Sequence, residues 1–189
     1  MPLTDAIIRE HVKRLHEEVR FTQPPLDLTA ILTLRSDIVV EFAETEGPLE
    51  LQKDGDRVAM TLPPEEDAYE ERLLMAHALG HAMLHPLPLL CDGEWPEEEL
   101  SLEDPDAAAD IVRESQAHYF ALELLMPMRL VEAQNQLRVT LFMKGEEIDD
   151  EVERLVAVFG APPQAVRARL HQLMDRQFRL HAGVPPQKT

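Results

Sequence analysis

The sequence predicts an α+β fold, with a mainly helical core, a small three-stranded antiparallel sheet and a helical C-terminal subdomain. Apolar residues recur at helical spacing over residues 4–20, 65–85 and 104–126. Short segments of strand character lie between the first two of these helices. The 189 residues are enough to bury a core. We therefore assign the core to residues 1–130 and the helical subdomain to residues 131–189.

Proline and acidic residues mark the ends of the core helices. The first helix is expected to stop near Pro24-Pro25, and a short helix is possible over residues 26–35. The second follows Pro63-Pro64, where three acidic residues favour a helix N-terminus. The third opens at Asp104-Pro105, an N-cap followed by proline, and ends before Pro127.

The predicted sheet is formed by residues 37–42, 49–52 and 57–62. Turn signals join these segments at Glu46-Gly47-Pro48 and at Asp54-Gly55-Asp56. Consecutive strands joined by short turns predict an antiparallel arrangement.

The charge of the chain disfavours nucleic acid as a direct ligand. It has 18 basic and 36 acidic residues, a net charge of −18, which repels phosphate. The acidic residues either attract a basic protein partner or simply maintain solubility, and both interpretations stay open. No run of 18 apolar residues and no leader peptide is present, so a cytoplasmic protein without a membrane segment is expected.

Cysteine usage limits the kinds of metal site. Cys91 is the single cysteine, so the chain cannot form an internal disulfide or a thiolate cluster. We therefore expect any metal to be held by histidine, glutamate or aspartate.

The segment His77-Ala78-Leu79-Gly80-His81 places two histidines four residues apart on one face of an apolar helix. A buried polar group is costly unless it is satisfied, so both imidazoles need partners. A shared metal ion is one solution, and two separately hydrogen-bonded core histidines are the other.

Glu114 supplies a third candidate ligand. It shares the buried face of the third helix with Ile111, Ala117 and Ala121. A carboxylate there is neutralised by zinc, which predicts a His77, His81, Glu114 site with a fourth position left for water. The alternative is a salt bridge from Glu114 to Arg72 or Arg113.

Two blocks of sequence resemble the ImmA/IrrE family of bacterial and phage metallopeptidases. The first, residues 72–85, resembles the zinc helix of that family. The second, Glu114-Ser-Gln-Ala-His-Tyr-Phe-Ala-Leu-Glu-Leu-Leu-Met-Pro127, resembles its Glu-x-x-Ala-Asn-x-Phe-Ala-x-x-Leu-Leu-Met-Pro segment. With the small sheet, the resemblance covers roughly residues 5–130.

The resemblance implies a zincin-like (gluzincin) core that binds one Zn²⁺ per chain through His77, His81 and Glu114. It also implies a site-specific endopeptidase that cleaves a basic, helix-turn-helix transcriptional repressor in stress response or mobile-element regulation. The family has glutamate where this chain has Ala78, and that glutamate is the general base. The chain is therefore expected to bind zinc without hydrolysing peptides.

The completeness of the remaining motif favours deliberate replacement of a glutamate at position 78. A natural pseudopeptidase is the alternative, in which the chain is a non-catalytic, zinc-containing module that binds a partner as an antirepressor or antitoxin does.

Further residues are candidates for supporting or substrate-binding roles. His118, which replaces the asparagine of the family, and Tyr119 are placed to donate to an oxyanion, although the helical phase of Tyr119 favours packing. His85 lies another turn beyond His81, which favours hydrogen bonding or packing over ligation. Zincins bind substrate along an edge strand, and Arg57, Ala59 and Thr61 are the candidates for this role.

Two regions outside the motif have competing interpretations. Residues 86–103 form an acidic connection that is either a flap over the cleft or a solvated loop. The predicted helices 147–159 and 163–178, joined by a Gly-Ala-Pro turn, resemble a helix-turn-helix. Acidic charge disfavours DNA binding through Gln164, Arg167 and Arg169, so packing on the core or docking of the partner is expected.

Overall fold

The described elements follow the local signals of the sequence closely. The computed structural model describes residues 3–43, 49–91, 105–134 and 145–181. Within these ranges the helices are α1 (Asp5–Glu18), α2 (Leu28–Leu34), α3 (Ala68–Leu84), α4 (Pro105–Leu125), α5 (Met128–Gln134), α6 (Gly145–Phe159) and α7 (Pro163–His181). The strands are β1 (Ile38–Phe42), β2 (Leu49–Asp54), β3 (Arg57–Leu62) and β4 (Leu89–Cys91).

Aspartate caps set the starts of α2 and α3. The carboxylate of Asp27 accepts a hydrogen bond from the backbone N–H of Thr29 at 2.9 Å. Asp67 accepts from the N–H groups of Tyr69 at 2.6 Å and Glu70 at 3.3 Å. These bonds satisfy N–H groups that have no partner within the helix, so each helix begins at its cap.

The sheet is mixed and has four strands in the order β1-β3-β2-β4. The prediction of a three-stranded antiparallel sheet is therefore wrong in two respects. β1 pairs in parallel with β3, with Ile38 opposite Val58, and β4 adds antiparallel to β2. Alternation of apolar residues identifies a strand but not its neighbour, and β4 is only three residues long, too short to recognise by alternation.

The hairpin between β2 and β3 forms at the predicted turn. Gly55 has a φ of +61°, a conformation that glycine adopts without a steric penalty. The other predicted turn, Glu46-Gly47-Pro48, lies outside the described residues.

The assignment of Arg57, Ala59 and Thr61 to an edge strand is also wrong. β3 is central, because β1 pairs with one side of it and β2 with the other. Its backbone donors and acceptors are used within the sheet and cannot receive an added strand. Within the described residues the edge strands are β1 and β4.

Helices α3 and α4 approach each other at Gly80. A β-carbon on Gly80 would lie 3.1 Å from both the Cα and the carbonyl oxygen of Ala117, and 3.2 Å from Cβ of Phe120. Only a residue without a side chain permits this backbone approach. The crossing places the histidine face of α3 directly against the face of α4 that bears Glu114.

The C-terminal helices pack on the rest of the protein through an arginine. Arg169 of α7 is 1% exposed, and its Nε donates to the carbonyl oxygen of Met126 at 2.8 Å. Its guanidinium also pairs with Glu123 of α4. A buried guanidinium needs such partners because its charge is removed from water.

The three residues that a DNA-binding interpretation would use all bind within the protein. Gln164 donates to Glu70 at 2.7 Å, Arg167 pairs with Asp149 at 2.7 Å, and Arg169 is buried. The helices α6 and α7 form within a few residues of the predicted ranges. The side chains that could contact bases already form hydrogen bonds or ion pairs within the protein.

None of the described helices has the length and apolar character required to cross a bilayer.

Replacement of Gly80 by valine is expected to destabilise the protein. Helix propensity alone would slightly favour valine over glycine, but overpacking against the α4 backbone costs about 1–3 kcal/mol. Urea denaturation measures the change in the free energy of unfolding. Ala68→Val, on an exposed position of the same helix, is the control and is expected to cost at most about 0.7 kcal/mol. Equal losses in both variants would show that the α3–α4 approach does not limit side-chain size.

Candidate metal centre

α3 brings two buried imidazoles to one point. His77 is 2% exposed and His81 is fully buried, and they lie one helical turn apart. Their Nε2 atoms are 3.0 Å apart. The four-residue spacing sets this geometry, since side chains at i and i+4 project from the same face of a helix.

α4 supplies a carboxylate to the same point. Glu114 precedes Ala117 by about one turn and therefore faces α3 beside the Gly80 contact. Its Oε2 lies 3.1 Å from Nε2 of His77 and 3.4 Å from Nε2 of His81. The structure thus brings together the three residues that the sequence proposed as ligands.

The alternative ion pairs of Glu114 are not found among the described contacts. Arg72 instead donates to the carbonyl oxygens of Gly160 and Leu26, each at 2.8 Å. Arg113 pairs with Asp110 on its own helix. Both guanidinium groups therefore have other partners.

The surroundings of Glu114 keep it ionised. Burial acts to raise its pKa, but hydrogen bonds from His77, His81 and Cys91 together lower the pKa well below its ordinary value. A carboxylate that stays charged in a half-buried position is ready to bind a cation without first losing a proton.

Cys91 is a functional candidate that the sequence analysis excluded. Its Sγ lies 3.1 Å from Nε2 of His77 and 3.1 Å from Oε2 of Glu114. A lone cysteine cannot form a thiolate cluster, but it can join ligands of other types, so Cys91 is a candidate beyond the expected histidine, glutamate and aspartate ligands. The sequence contains one signal for this position. Cys91 lies ten residues after His81, at the end of the short apolar segment Leu89-Leu-Cys91, which stands between Pro88 and an acidic run.

The four groups form a set that fits a metal ion. One ligand atom from each of His77, His81, Cys91 and Glu114 lies within 4.8 Å of all the others. Nitrogen, oxygen and sulfur in this combination are donors that zinc accepts, whereas magnesium and calcium prefer oxygen alone. The chemistry of the donor set therefore suits one zinc ion.

A chain of hydrogen bonds fixes the orientation of His81. Its Nδ1 is 3.0 Å from Nδ1 of His85, and Nε2 of His85 is 3.0 Å from Oε1 of Gln116. The side-chain amide of Gln116 donates to the carbonyl oxygen of Leu3 at 3.1 Å. His85 is thus positioned as a hydrogen-bonding residue behind the site.

The direction of these bonds determines which nitrogen of His81 carries a proton. Because the Gln116 amide nitrogen donates to Leu3, its oxygen accepts from Nε2–H of His85. Burial lowers the pKa of His85, so this ring is neutral and its Nδ1 accepts from Nδ1–H of His81. Nε2 of His81 is left on the side of the ring that faces the cluster, which is the nitrogen that a histidine in this position would offer to a metal.

His118 and Tyr119 occupy different environments. The His118 ring lies 4.2 Å from the His77 ring, and its Nδ1 donates to the Glu114 carbonyl oxygen at 3.0 Å. Burial lowers the pKa of His118 to about 4, so it is neutral at neutral pH. The hydroxyl of Tyr119 instead accepts from Arg9 of α1 at 2.6 Å. His118 therefore borders the site, whereas Tyr119 takes part in the packing of α1 on α4.

Ala78, at the position of the general base, is enclosed. Its exposed fraction is 0%, so no water-sized space adjoins its methyl group. The methyl group of Ala78 is therefore out of contact with solvent.

The acidic connection predicted as a flap lies largely outside the described residues, which resume at 105. The part before it, together with α4, lines a cavity of about 540 Å³. Cys91 and Glu114 both contribute to its wall, so this cavity adjoins the candidate metal centre.

Comparison with known families identifies the arrangement. The sequence profile of the peptidase M78 family, described as the IrrE N-terminal-like domain, matches residues 35–171. The chain belongs to this family. The match includes the sheet, both helices of the centre and all four clustered residues, and it confirms the ImmA/IrrE resemblance. No curated protein matches the chain significantly.

Membership of the M78 family supports zinc metallopeptidase activity at the level of the family. The histidine pair, Cys91 and Glu114 are together compatible with one zinc ion. The family does not fix the activity of this chain, because Ala78 stands where the general base is expected.

Loss of the His85 imidazole is expected to weaken metal binding without removing a ligand. In His85→Ala, His81 loses the acceptor that fixes its tautomer and ring orientation, and removal of such a supporting group costs roughly 10- to 100-fold in affinity. Competition with a chromogenic chelator measures the zinc dissociation constant. His171→Ala removes an exposed imidazole of α7 and should leave it unchanged. Unaltered affinity in His85→Ala would contradict the orienting role.

Proposed function

We propose that this chain is a zinc-binding member of the M78 family that recognises a protein partner without cleaving it. Zinc is held by His77, His81 and Glu114, and the partner is a basic, DNA-binding transcriptional repressor. The protein would then act on the repressor by binding, in the manner of an antirepressor.

The enclosed Ala78 is the observation that carries the non-hydrolytic part of the proposal. Peptide hydrolysis at zinc requires a residue that takes a proton from water and passes it to the leaving amine. Alanine has no proton to transfer, and the complete burial of its methyl group leaves no room for water to act in its place.

The bound zinc would supply Lewis acidity and a fixed positive charge. In this chain His77, His81 and Glu114 would hold the ion, and the hydrogen bonds from His81 through His85 to Gln116 would fix the orientation of the His81 ring. The same ion would fix α3, α4 and β4 against one another, because each of these elements contributes a clustered residue.

Charge and the sheet edge support a basic protein partner. A net charge of −18 attracts the basic surface with which a repressor binds DNA. β4 lies beside the metal centre, pairs with β2 on one side, and has no second neighbouring strand in the described part of the chain. Its Leu90 is exposed, so the strand offers both backbone groups and an apolar side chain for strand addition.

A second candidate is a peptidase that has lost only its base. The presence of both histidines and Glu114 at ligand distance favours it, because a chain that had lost its function would be under no constraint to keep them. In that case Ala78 replaces a glutamate deliberately and the parent protein cleaves the repressor.

Metal analysis is expected to give about one zinc per chain. In His77→Ala and Glu114→Ala the bound zinc should fall to a small fraction of this, because each change removes a ligand from the centre. Inductively coupled plasma mass spectrometry of protein purified without added metal makes the measurement, with His171→Ala as the control. Absence of zinc from the unaltered chain, even after zinc is added back, would refute the metal site.

Incubation of the zinc-loaded chain with a basic helix-turn-helix repressor should give a complex and no cleavage products. Light scattering after gel filtration detects the complex, and mass spectrometry detects cleavage. Because the space at position 78 is closed, Ala78→Glu should lower the free energy of unfolding by on the order of 2 kcal/mol or more and create no activity.

The two candidates differ in the outcome for Ala78→Glu. Zinc-dependent cleavage of the repressor by this variant, abolished by a further His77→Ala change, would favour the peptidase that lost only its base. Cleavage by the unaltered chain would rule out the binding-only proposal altogether.

A further inference from the structure

We propose that Cys91 is a fourth protein ligand of the zinc ion, which makes the centre a closed Cys-His₂-Glu site without a metal-bound water. The inference rests on the proposed function for the presence of zinc. The inference goes beyond the proposed function in two ways. It assigns a ligand outside the sequence motifs of α3 and α4, and it defines how many protein ligands the ion has.

Five of the six distances among the four groups are close to the edges of a zinc coordination tetrahedron, and the sixth, between Cys91 and His81, is at most 4.8 Å. Zinc–nitrogen bonds of ~2.0–2.1 Å and a zinc–sulfur bond of ~2.3 Å imply ligand–ligand edges of roughly 3.3–3.6 Å. The observed separations are 3.0 Å between the two histidine Nε2 atoms and 3.1 Å from the sulfur to both His77 and Glu114. The Glu114 oxygen lies 3.1 and 3.4 Å from the two imidazoles. A small outward movement of each atom is enough to admit the ion.

The backbone holds Cys91 in this position. β4 pairs with β2, where Cys91 lies opposite the buried Leu49, so the strand cannot withdraw the thiol without breaking the sheet. The side chain is 3% exposed and is directed toward the imidazoles. Cys91 is therefore a fixed component of the cluster and not a surface thiol that happens to lie near it.

Charge balance favours a thiolate at the fourth position. Zn²⁺ with two neutral histidines, one carboxylate and one thiolate has no net charge. The same ion with water in place of the thiolate carries one positive charge. In a centre whose two histidines are almost completely buried, the neutral set is less costly to remove from water.

The hydrogen-bond chain behind His81 is independent support for a cation among these residues. It holds the His81 ring so that Nε2 faces the cluster, 3.4 Å from Oε2 of Glu114. A ring nitrogen and a carboxylate oxygen that converge on one point are donors that a zinc ion can share.

A closed site has a direct consequence for chemistry. Catalytic zinc keeps one position open for water, whereas zinc with four protein ligands is of the structural kind. With Cys91 bound, the ion has no water to activate, so this chain lacks both the base and the nucleophile of a peptidase. Removal of the thiol is the change that opens a position on the ion.

Cobalt substitution tests the assignment directly. Co²⁺ bound by a thiolate gives a sulfur-to-metal charge-transfer band in the near ultraviolet, and tetrahedral coordination gives intense visible bands. The chain contains one cysteine, so any such charge-transfer band comes from Cys91. We expect the band in the unaltered chain loaded with Co²⁺ and its loss in Cys91→Ala and Cys91→Ser.

Zinc affinity provides the second readout. Loss of a ligand should cost more than the roughly 10- to 100-fold expected for a supporting residue such as His85. Zinc should also slow alkylation of the unaltered chain by iodoacetamide, and should have no such effect in His77→Ala. This measurement needs no variant of Cys91, and the charge-transfer band of the unaltered chain decides the question even if Cys91→Ala fails to fold.

The outcomes separate this inference from the proposed function. Cobalt bound without the charge-transfer band, with equal zinc affinity in Cys91→Ala, would overturn the fourth ligand and leave the three-ligand site intact. Failure of the unaltered chain to bind either metal would overturn the proposed function and this inference with it. The band, its loss in both Cys91 variants and the protection of the thiol together establish the closed site.

Discussion

The approach of α3 to α4 at Gly80 is the constraint on which the metal centre depends. Because the backbone of Ala117 lies where a side chain of residue 80 would be, Glu114 one turn earlier on α4 meets the imidazoles of His77 and His81. A wider crossing would move the carboxylate beyond reach of the histidines. The glycine therefore determines the geometry of the candidate metal centre through its size, although it contributes no candidate ligand.

The centre joins segments that are far apart in sequence and of different kinds. A helix contributes the imidazoles, a second helix the carboxylate and a sheet edge the thiol, while Gln116 and the backbone of Leu3 complete the support of His81. The arrangement keeps the donors of a zinc peptidase but surrounds position 78 with packed side chains. Such a centre suits an ion that holds a recognition scaffold together better than one that turns over substrate.

The sequence predicts the helices and the motif well because both depend on local spacing. The observed helices lie within a few residues of those expected from periodicity, caps and prolines, and the candidate ligands His77, His81 and Glu114 follow from helical phase. Strand order was not predictable, because it depends on contacts between segments and not on the pattern within them. Cys91 was missed for the same reason: only the pairing of a three-residue strand with β2 brings it to the histidines.

The contact of Arg72 with the α6–α7 turn connects the helix of the histidine pair to the C-terminal helices. Its guanidinium donates to the carbonyl oxygens of Leu26 and Gly160, and Gly160 adopts the positive φ of +61° that ends α6. Arg72 lies five residues before His77, roughly 7.5 Å along the axis of α3. Burial lowers the pKa of this arginine, because its charge is costly away from water. Loss of its hydrogen bond to either carbonyl oxygen would leave a buried donor without a partner and would destabilise the protein. A force that displaces the C-terminal helices is therefore transmitted to the helix that carries the histidine pair through Arg72, as well as through the hydrogen bond from Gln164 to Glu70.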